Sequence, residues 1–167
     1  MSPEHQPLSS LAIAVGKIPS GLAIATASGN KDRTAMLASW FQQVSFSPLL
    51  ISVCIKKERP MESLIEESGF FGLNILSEGD FASLKRYAKG FEPGIDPWME
   101  DAKATLEPNQ PAPLFSKGYA WLLLVFKQKV DVGGDHLIYI GEVVEGKFMG
   151  SEEQKPYVHI RKDGLGY

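Results

Sequence analysis

Two long runs of aliphatic, aromatic and β-branched residues, Tyr119–Val132 and His136–Val144, are separated only by Gly133-Gly134-Asp135. Residues of these types suit the pleated, half-buried surface of a strand. So short a glycine-rich link joins two strands only as an antiparallel hairpin, because a parallel return needs a dozen residues or more. The longest strands of the chain therefore form an antiparallel pair, and the fold has to be built around it.

The remaining elements follow from local chemistry. Ser9 or Ser10 is placed to cap a short helix over Leu11–Val15, which Gly16 and Pro19 end. Gly21–Ala27 reads as a strand with Leu22, Ile24 and Thr26 on one face and small alanines opposite. Ser28–Arg33 contains Gly29-Asn30 and has turn chemistry, which predicts a hairpin into Thr34–Ser39. Leu49–Ile55 is a compact strand between Pro48 and the charged Lys56–Arg59. Pro60 starts a helix through Ser68 with Leu64 and Ile65 inward. Phe70–Leu76 is a further strand, and Asp80 caps a helix through Lys89. Gly90–Ser116, rich in Pro, Gly and charge, is expected to be a long irregular excursion of the kind that often carries function. Strands and helices do not alternate regularly, which argues against a parallel doubly wound sheet. The expected fold is mainly β: an antiparallel barrel with helical insertions, forming a single domain over residues 9–167 behind a flexible leader, residues 1–8.

Composition sets the boundaries of function. The 167 residues are 44% hydrophobic and 22% charged, and the formal net charge is −3. A phosphate-tracking surface needs a basic excess, so neither nucleic acid nor a membrane surface is an expected partner. The apolar runs are too short to span a bilayer, and Met1–Leu8 lacks the pattern of a secretory signal. The expected location is the cytoplasm. Cys54 is the sole cysteine, which removes an internal disulfide and any Cys-pair zinc site. His5, His136 and His159 are isolated from one another, and no metal site is expected. Gly16-Lys17-Ile18-Pro19-Ser20-Gly21 lacks the order of a phosphate-binding loop. No Gly-x-Gly-x-x-Gly follows a strand, and there is no Gly-x-Ser-x-Gly elbow.

Two constellations remain. Thr34-Ala35-Met36-Leu37-Ala38-Ser39-Trp40-Phe41-Gln42-Gln43-Val44-Ser45-Phe46-Ser47-Pro48 interleaves small residues, hydroxyls and large aromatics without a helical stripe. It serves either as a tightly packed hairpin or as a surface on which a flat ligand can lie, with Ser39 and backbone amides at its edge. Gly133-Gly134-Asp135-His136 followed by Leu137-Ile138-Tyr139-Ile140-Gly141-Glu142-Val143 puts a histidine at the mouth of a strand. There it is either a hydrogen-bonded structural residue or a proton and hydrogen-bond donor near neutral pH.

Together these segments resemble the flavin reductase-like, FMN-binding split-barrel family. The resemblance rests on Ala38-Ser39, Val44-Ser45-Phe46-Ser47-Pro48, the strand Leu49–Ile55, Phe71-Gly72-Leu73-Asn74-Ile75-Leu76, and Gly134-Asp135-His136 with Ile140-Gly141-Glu142-Val143. In order, they cover about residues 16–145. Ala35-Met36-Leu37-Ala38-Ser39-Trp40 is most similar to the flavin reductase-like module of cyanobacterial flavodiiron proteins. Leu49 stands where that pattern usually has a second proline.

The resemblance implies an NAD(P)H:flavin oxidoreductase with FMN as cofactor (FAD being the variant) and NAD(P)H as substrate. It implies a homodimer with flavin near the interface, and a redox protein as a further partner. Met36, Leu37, Ala38, Ser39 and Trp40 would line the isoalloxazine, with Ser39 at its polar edge. The phosphate would sit at the strand end formed by Cys54, Lys56, Lys57 and Arg59, where Arg59 can bind bidentately. Cys54 is expected to be a packed small residue beside the flavin, and Trp40 belongs either to the core or to the ring stack. His136 would sit beside flavin and nicotinamide as the catalytic residue, with Arg86 and Lys89 in reserve for the nucleotide. The alternatives are a flavoredoxin-like electron carrier reduced by a protein, and a barrel that has lost flavin.

Overall fold

The structure, a computed structural model, describes residues 9–99 and 105–166; the expected leader, residues 1–8, lies outside them. Seven strands form one antiparallel sheet in the order β3-β2-β6-β7-β8-β5-β4. They are β2 (Ala23–Ser28), β3 (Arg33–Ala38), β4 (Phe41–Phe46), β5 (Leu49–Lys56), β6 (Phe70–Ile75), β7 (Ala120–Asp131) and β8 (His136–Phe148). The β7–β8 hairpin, expected from its glycine-rich link, is the centre of this sheet and turns through Gly133, whose φ of 84° favours glycine.

The sheet's two outermost strands, β3 and β4, are joined in the chain by Ser39 and Trp40 alone. So short a link spans only about 10 Å even when extended. The edges of the sheet are therefore tethered to each other, and the sheet must curl into a barrel. Among its buried contents are Val53, Ile55, Phe71, Leu73, Leu124 and the fully buried Tyr139. The alanines of β2 contribute small surfaces, which lets helix α2 (Pro60–Ser68) pack closely through Met61, Leu64 and Ile65. Burial of side chains of this size is worth about 1.5–3 kcal/mol each. A second cluster, Leu22, Ile24, Ala35, Leu76, Tyr87 and Trp98, seats helix α3 (Phe81–Tyr87) and the segment after it.

The helix signals are realised by named caps. Ser9 Oγ accepts from Ala12 N at 3.2 Å to start α1 (Ser10–Gly16), and Asp80 Oδ1 accepts from Ser83 N at 3.1 Å to start α3. Helix α3 ends at Tyr87, short of the expected Lys89, because Gly90 takes a φ of 69°. Strand β8 runs four residues past Val144, to Phe148, where its polar second half pairs with the start of β7. The segment Thr34–Pro48 is not a hairpin of its own: β3 pairs with β2, and β4, to which no separate strand was assigned, pairs with β5. In the 90–116 excursion the described residues hold turns, a helical Thr105 and one isolated bridge, Leu106↔Phe115. Arg33 anchors this excursion through a bidentate pair with Asp96, both bonds at 2.8 Å.

Two very short strands complete the fold. β1 (Ser20–Gly21) pairs with β9 (Val158–His159), so the C-terminal segment is drawn back across the start of the chain. No helix among the described residues is long and apolar enough to cross a membrane.

Candidate functional site

A cleft of ≈ 800 Å³ opens where β3, the β5–α2 corner, the start of β8 and the C-terminal segment meet. Its apolar wall includes Met36 and Leu37, and β3 carries both within reach because its neighbours Ala35 and Ala38 are small and buried. Ser39, directly after β3, also lines the cleft. The residue is 6% exposed, and its Oγ is buried with no hydrogen-bond partner. Such a hydroxyl costs free energy until something bonds to it.

The polar wall is made by strand register. Lys56, the last residue of β5, lies opposite His136, the first of β8. Lys57 N donates to Asp135 O at 3.0 Å and closes that corner. Asp135 Oδ1 lies 2.8 Å from His136 Nδ1, and this contact holds the Asp135 carboxyl below its ordinary range. A carboxylate at Nδ1 favours the tautomer protonated there and leaves Nε2 as an acceptor. The His136 ring tilts against Trp40 with centroids 4.8 Å apart. The Arg161 guanidinium lies 5.2 Å from the centroid of the Trp40 ring. Arg59 reaches from the N-cap of α2 and donates from Nη1 to Lys89 O at 3.3 Å, beside Gly90.

The structure thus brings Met36, Leu37, Ser39, Lys56, Arg59 and His136 to one cleft, together with Lys89. Ala38 packs in the barrel core instead. Trp40 is not itself a lining residue but touches two that are, His136 and Arg161. Cys54 lies outside the cleft, half-buried on β5, and burial raises its thiol pKa, which leaves it a poor nucleophile. Lys57 points to Asp131, with Nζ 2.8 Å from Oδ2. Arg86 is committed to the excursion, donating from Nη2 to Pro97 O at 2.6 Å.

C-terminal residues that were not expected at the site also line the cleft, Tyr157, His159, Arg161 and Lys162 among them. Locally they read as an ordinary surface run, and it is the β1–β9 pairing, with the bonds from Tyr157 N to Leu76 O and from Gly164 N to Ala12 O, that delivers them.

A family model described as "flavin reductase like domain" matches residues 15–164. The chain belongs to the flavin reductase-like family. Among similar proteins, Diflavin flavoprotein A 1 of Synechocystis sp. is 35% identical over 160 residues, or 95% of this chain and 27% of that protein. Putative diflavin flavoprotein A 3 of a Nostoc sp. is 36% identical over 92% of this chain and 26% of its own length. The chain thus spans about a quarter of the length of the curated relatives it matches. Among solved structures, the NADH:FAD oxidoreductase SgcE6 of Streptomyces globisporus superposes with a TM-score of 0.75 at 25% identity. That match covers 89% of this chain and 85% of SgcE6. Flavin reductase PheA2 superposes at 0.71 with 27% identity, covering 89% and 90%. The split barrel of this flavin reductase-like chain is thus the scaffold of solved flavin reductases.

Proposed function

We propose that this single split-barrel module binds FMN and catalyses its reduction by NAD(P)H, as a cytoplasmic homodimer. One observation carries the reading: a cleft that is apolar on one side and cationic on the other, lined by Ser39, whose Oγ is buried without a hydrogen-bond partner. That donor set fits a flavin, which is a flat apolar ring with a polar edge and a phosphate tail. When bound, flavin supplies the redox chemistry, accepting a hydride equivalent from reduced nicotinamide and passing the electrons on.

The chain's own residues then have distinct tasks. Met36 and Leu37 exclude water from the ring's surroundings. Ser39 supplies a hydrogen bond at the polar edge. Lys56 and Arg59 provide charge-assisted bonds to the phosphate. His136, fixed in orientation by Asp135 and Trp40, presents Nε2 towards the incoming nicotinamide and positions it. No acid–base pair is needed for such a reaction. Support comes also from SgcE6, an NADH:FAD oxidoreductase by name.

The test is the visible spectrum of the purified protein, followed by NADH or NADPH without oxygen. A flavin spectrum that bleaches promptly is expected. A folded protein that neither carries nor takes up FMN at micromolar concentration would refute the proposal. His136→Ala is expected to slow bleaching by NAD(P)H more than it weakens FMN binding, and equal kinetics in parent and variant would reduce His136 to a structural role.

A second reading is favoured by the relatives' length. A module that is a quarter of a larger flavoprotein is suited to accept electrons from a protein partner. A flavin spectrum that persists with NAD(P)H but bleaches with a reduced redox protein selects that reading.

A further inference from the structure

The cleft holds more positive charge than a flavin phosphate requires. Lys56, Arg59, Lys89, Arg161 and Lys162 all line it; among the described residues the lining carboxylate is Asp163, with Asp135 beside His136 and Lys56. The whole chain carries a formal net charge of −3. Among the described residues none of these five cations enters an ion pair, whereas Lys57, Lys127, Lys129, Lys147 and Arg33 all do. Unpaired cations concentrated in a concave site repel one another and raise the local concentration of anions.

The five fall into separate structural groups. Lys56 and Arg59 belong to the β5–α2 corner, and Lys89 follows α3. Arg161 and Lys162 belong to a strap, residues 157–166, held at both ends. At one end Tyr157 N donates to Leu76 O at 2.9 Å, and β9 pairs with β1. At the other, Gly164 N donates to Ala12 O at 2.8 Å, with Gly164 packed on Val15 and the Asp163 backbone packed on Gly16. A Cβ on Gly16 would lie 2.7 Å from Asp163 Cα, so the strap meets α1 backbone to backbone. Between its fastenings it passes along the cleft with Arg161 half-buried and Lys162 exposed.

Arg161 lies 5.2 Å from the centroid of the Trp40 ring, which in turn packs on His136. At that distance a guanidinium is held by cation–π attraction, which uses none of its N–H donors. Cations with these properties, near the histidine but on a different element from the flavin-phosphate corner, suit a second and more extended anion.

We infer that the strap is a subsite for the pyrophosphate of a dinucleotide, with Arg161 and Lys162 as its ligand-binding residues. The inference rests on the proposed flavin function for the first anion. The pyrophosphate is common to NAD(P)H and to FAD, and the two sources are separated by experiment.

The experiment compares parent protein with Arg161→Gln/Lys162→Gln, both checked for fold by circular dichroism. Calorimetric titration with ADP, which carries the shared pyrophosphate, reads the subsite directly, and FMN titration reads the corner. The expected result is ADP affinity weakened about tenfold or more, with FMN affinity changed less than about twofold. ADP affinity should also fall with added salt. A rise in the KM for NAD(P)H without loss of FAD affinity assigns the pyrophosphate to the nicotinamide substrate. The converse assigns it to FAD. Unchanged ADP affinity in the double variant overturns the inference while leaving the flavin reading intact. Parent protein that binds neither FMN nor ADP overturns both. Arg161→Lys should restore part of the affinity by charge but not the stacked geometry.

Discussion

Ser39→Ala is expected to move stability in opposite directions with and without flavin. In the flavin-free protein Ser39 Oγ is buried and unpartnered, and an unsatisfied buried hydroxyl costs about 1–3 kcal/mol. Removing it relieves that cost. The void left by one oxygen offsets a few tenths of a kcal/mol at about 24 cal/mol per Å³. The net gain is about 1 kcal/mol, which for a chain of this size raises Tm by about 2–4 °C. In the proposed complex flavin gives the hydroxyl its missing partner in the parent, so the variant forgoes both that relief and the bond formed. FMN affinity should therefore fall about tenfold, equivalent to about 1.4 kcal/mol. With FMN saturating, the Tm advantage of the variant should invert, since ligand stabilisation follows the ratio of concentration to Kd and the loss of about 1.4 kcal/mol exceeds the gain of about 1 kcal/mol. Calorimetric scans of stripped and FMN-loaded protein, with an FMN titration of each, supply all the numbers. The reasoning fails if Ser39→Ala lowers the stability of the stripped protein, or if FMN affinity stays within twofold of the parent.

Three further predictions test other parts of the structure. Lys56→Ala/Arg59→Ala should weaken FMN binding by about tenfold to a hundredfold, whereas Lys57→Ala should leave it unchanged, because its ammonium is engaged by Asp131; the reverse order in fluorescence titrations would move the phosphate site. The Asp131 carboxyl is held below its ordinary 3.8 by the Lys57 side chain and the Gly133 N–H, so its stabilising contribution is complete above that value and is lost as pH falls through the lowered pKa; urea midpoints should drop less on acidification in Asp131→Asn than in the parent, and parallel profiles would remove this contribution. Gly141→Ala would put a Cβ 2.6 Å from Phe71 Cζ and 2.8 Å from Leu124 Cβ, an overpacking expected to cost about 1–3 kcal/mol in urea unfolding; an unshifted midpoint would mean that the core yields freely there.

Features written in short-range chemistry are legible in the sequence. The Gly133-Gly134 hairpin, the Pro60 helix start and the Asp80 cap each depend on a few adjacent residues, and each stands where that chemistry puts it. Strand β4 is not legible, since Phe41-Gln42-Gln43-Val44-Ser45-Phe46 is largely exposed and its ladder to β5 is interrupted between Gln43 and Ser45. Such a strand exists because β5 offers it an edge, which is a tertiary fact. The second half of β8 escapes a sequence reading for the same reason: Glu145, Gly146 and Lys147 have no apolar alternation but find partners on β7. In the cleft, the residues that sequence motifs reveal come from β3, β5 and β8, where those motifs are contiguous. Arg161 and Lys162 stay hidden because a basic run looks the same on an idle surface as on a strap fastened by partners far away in sequence.

The bond from Gly164 N to Ala12 O sets the C-terminal strap, which lines the cleft, directly on helix α1. Helix α1 thus backs one wall of the cleft, although none of its own residues lines it. A change in the tilt of α1 would therefore reach the cleft as a shift of Arg161 and Lys162, so the barrel carries a lever from its first helix to its cationic wall.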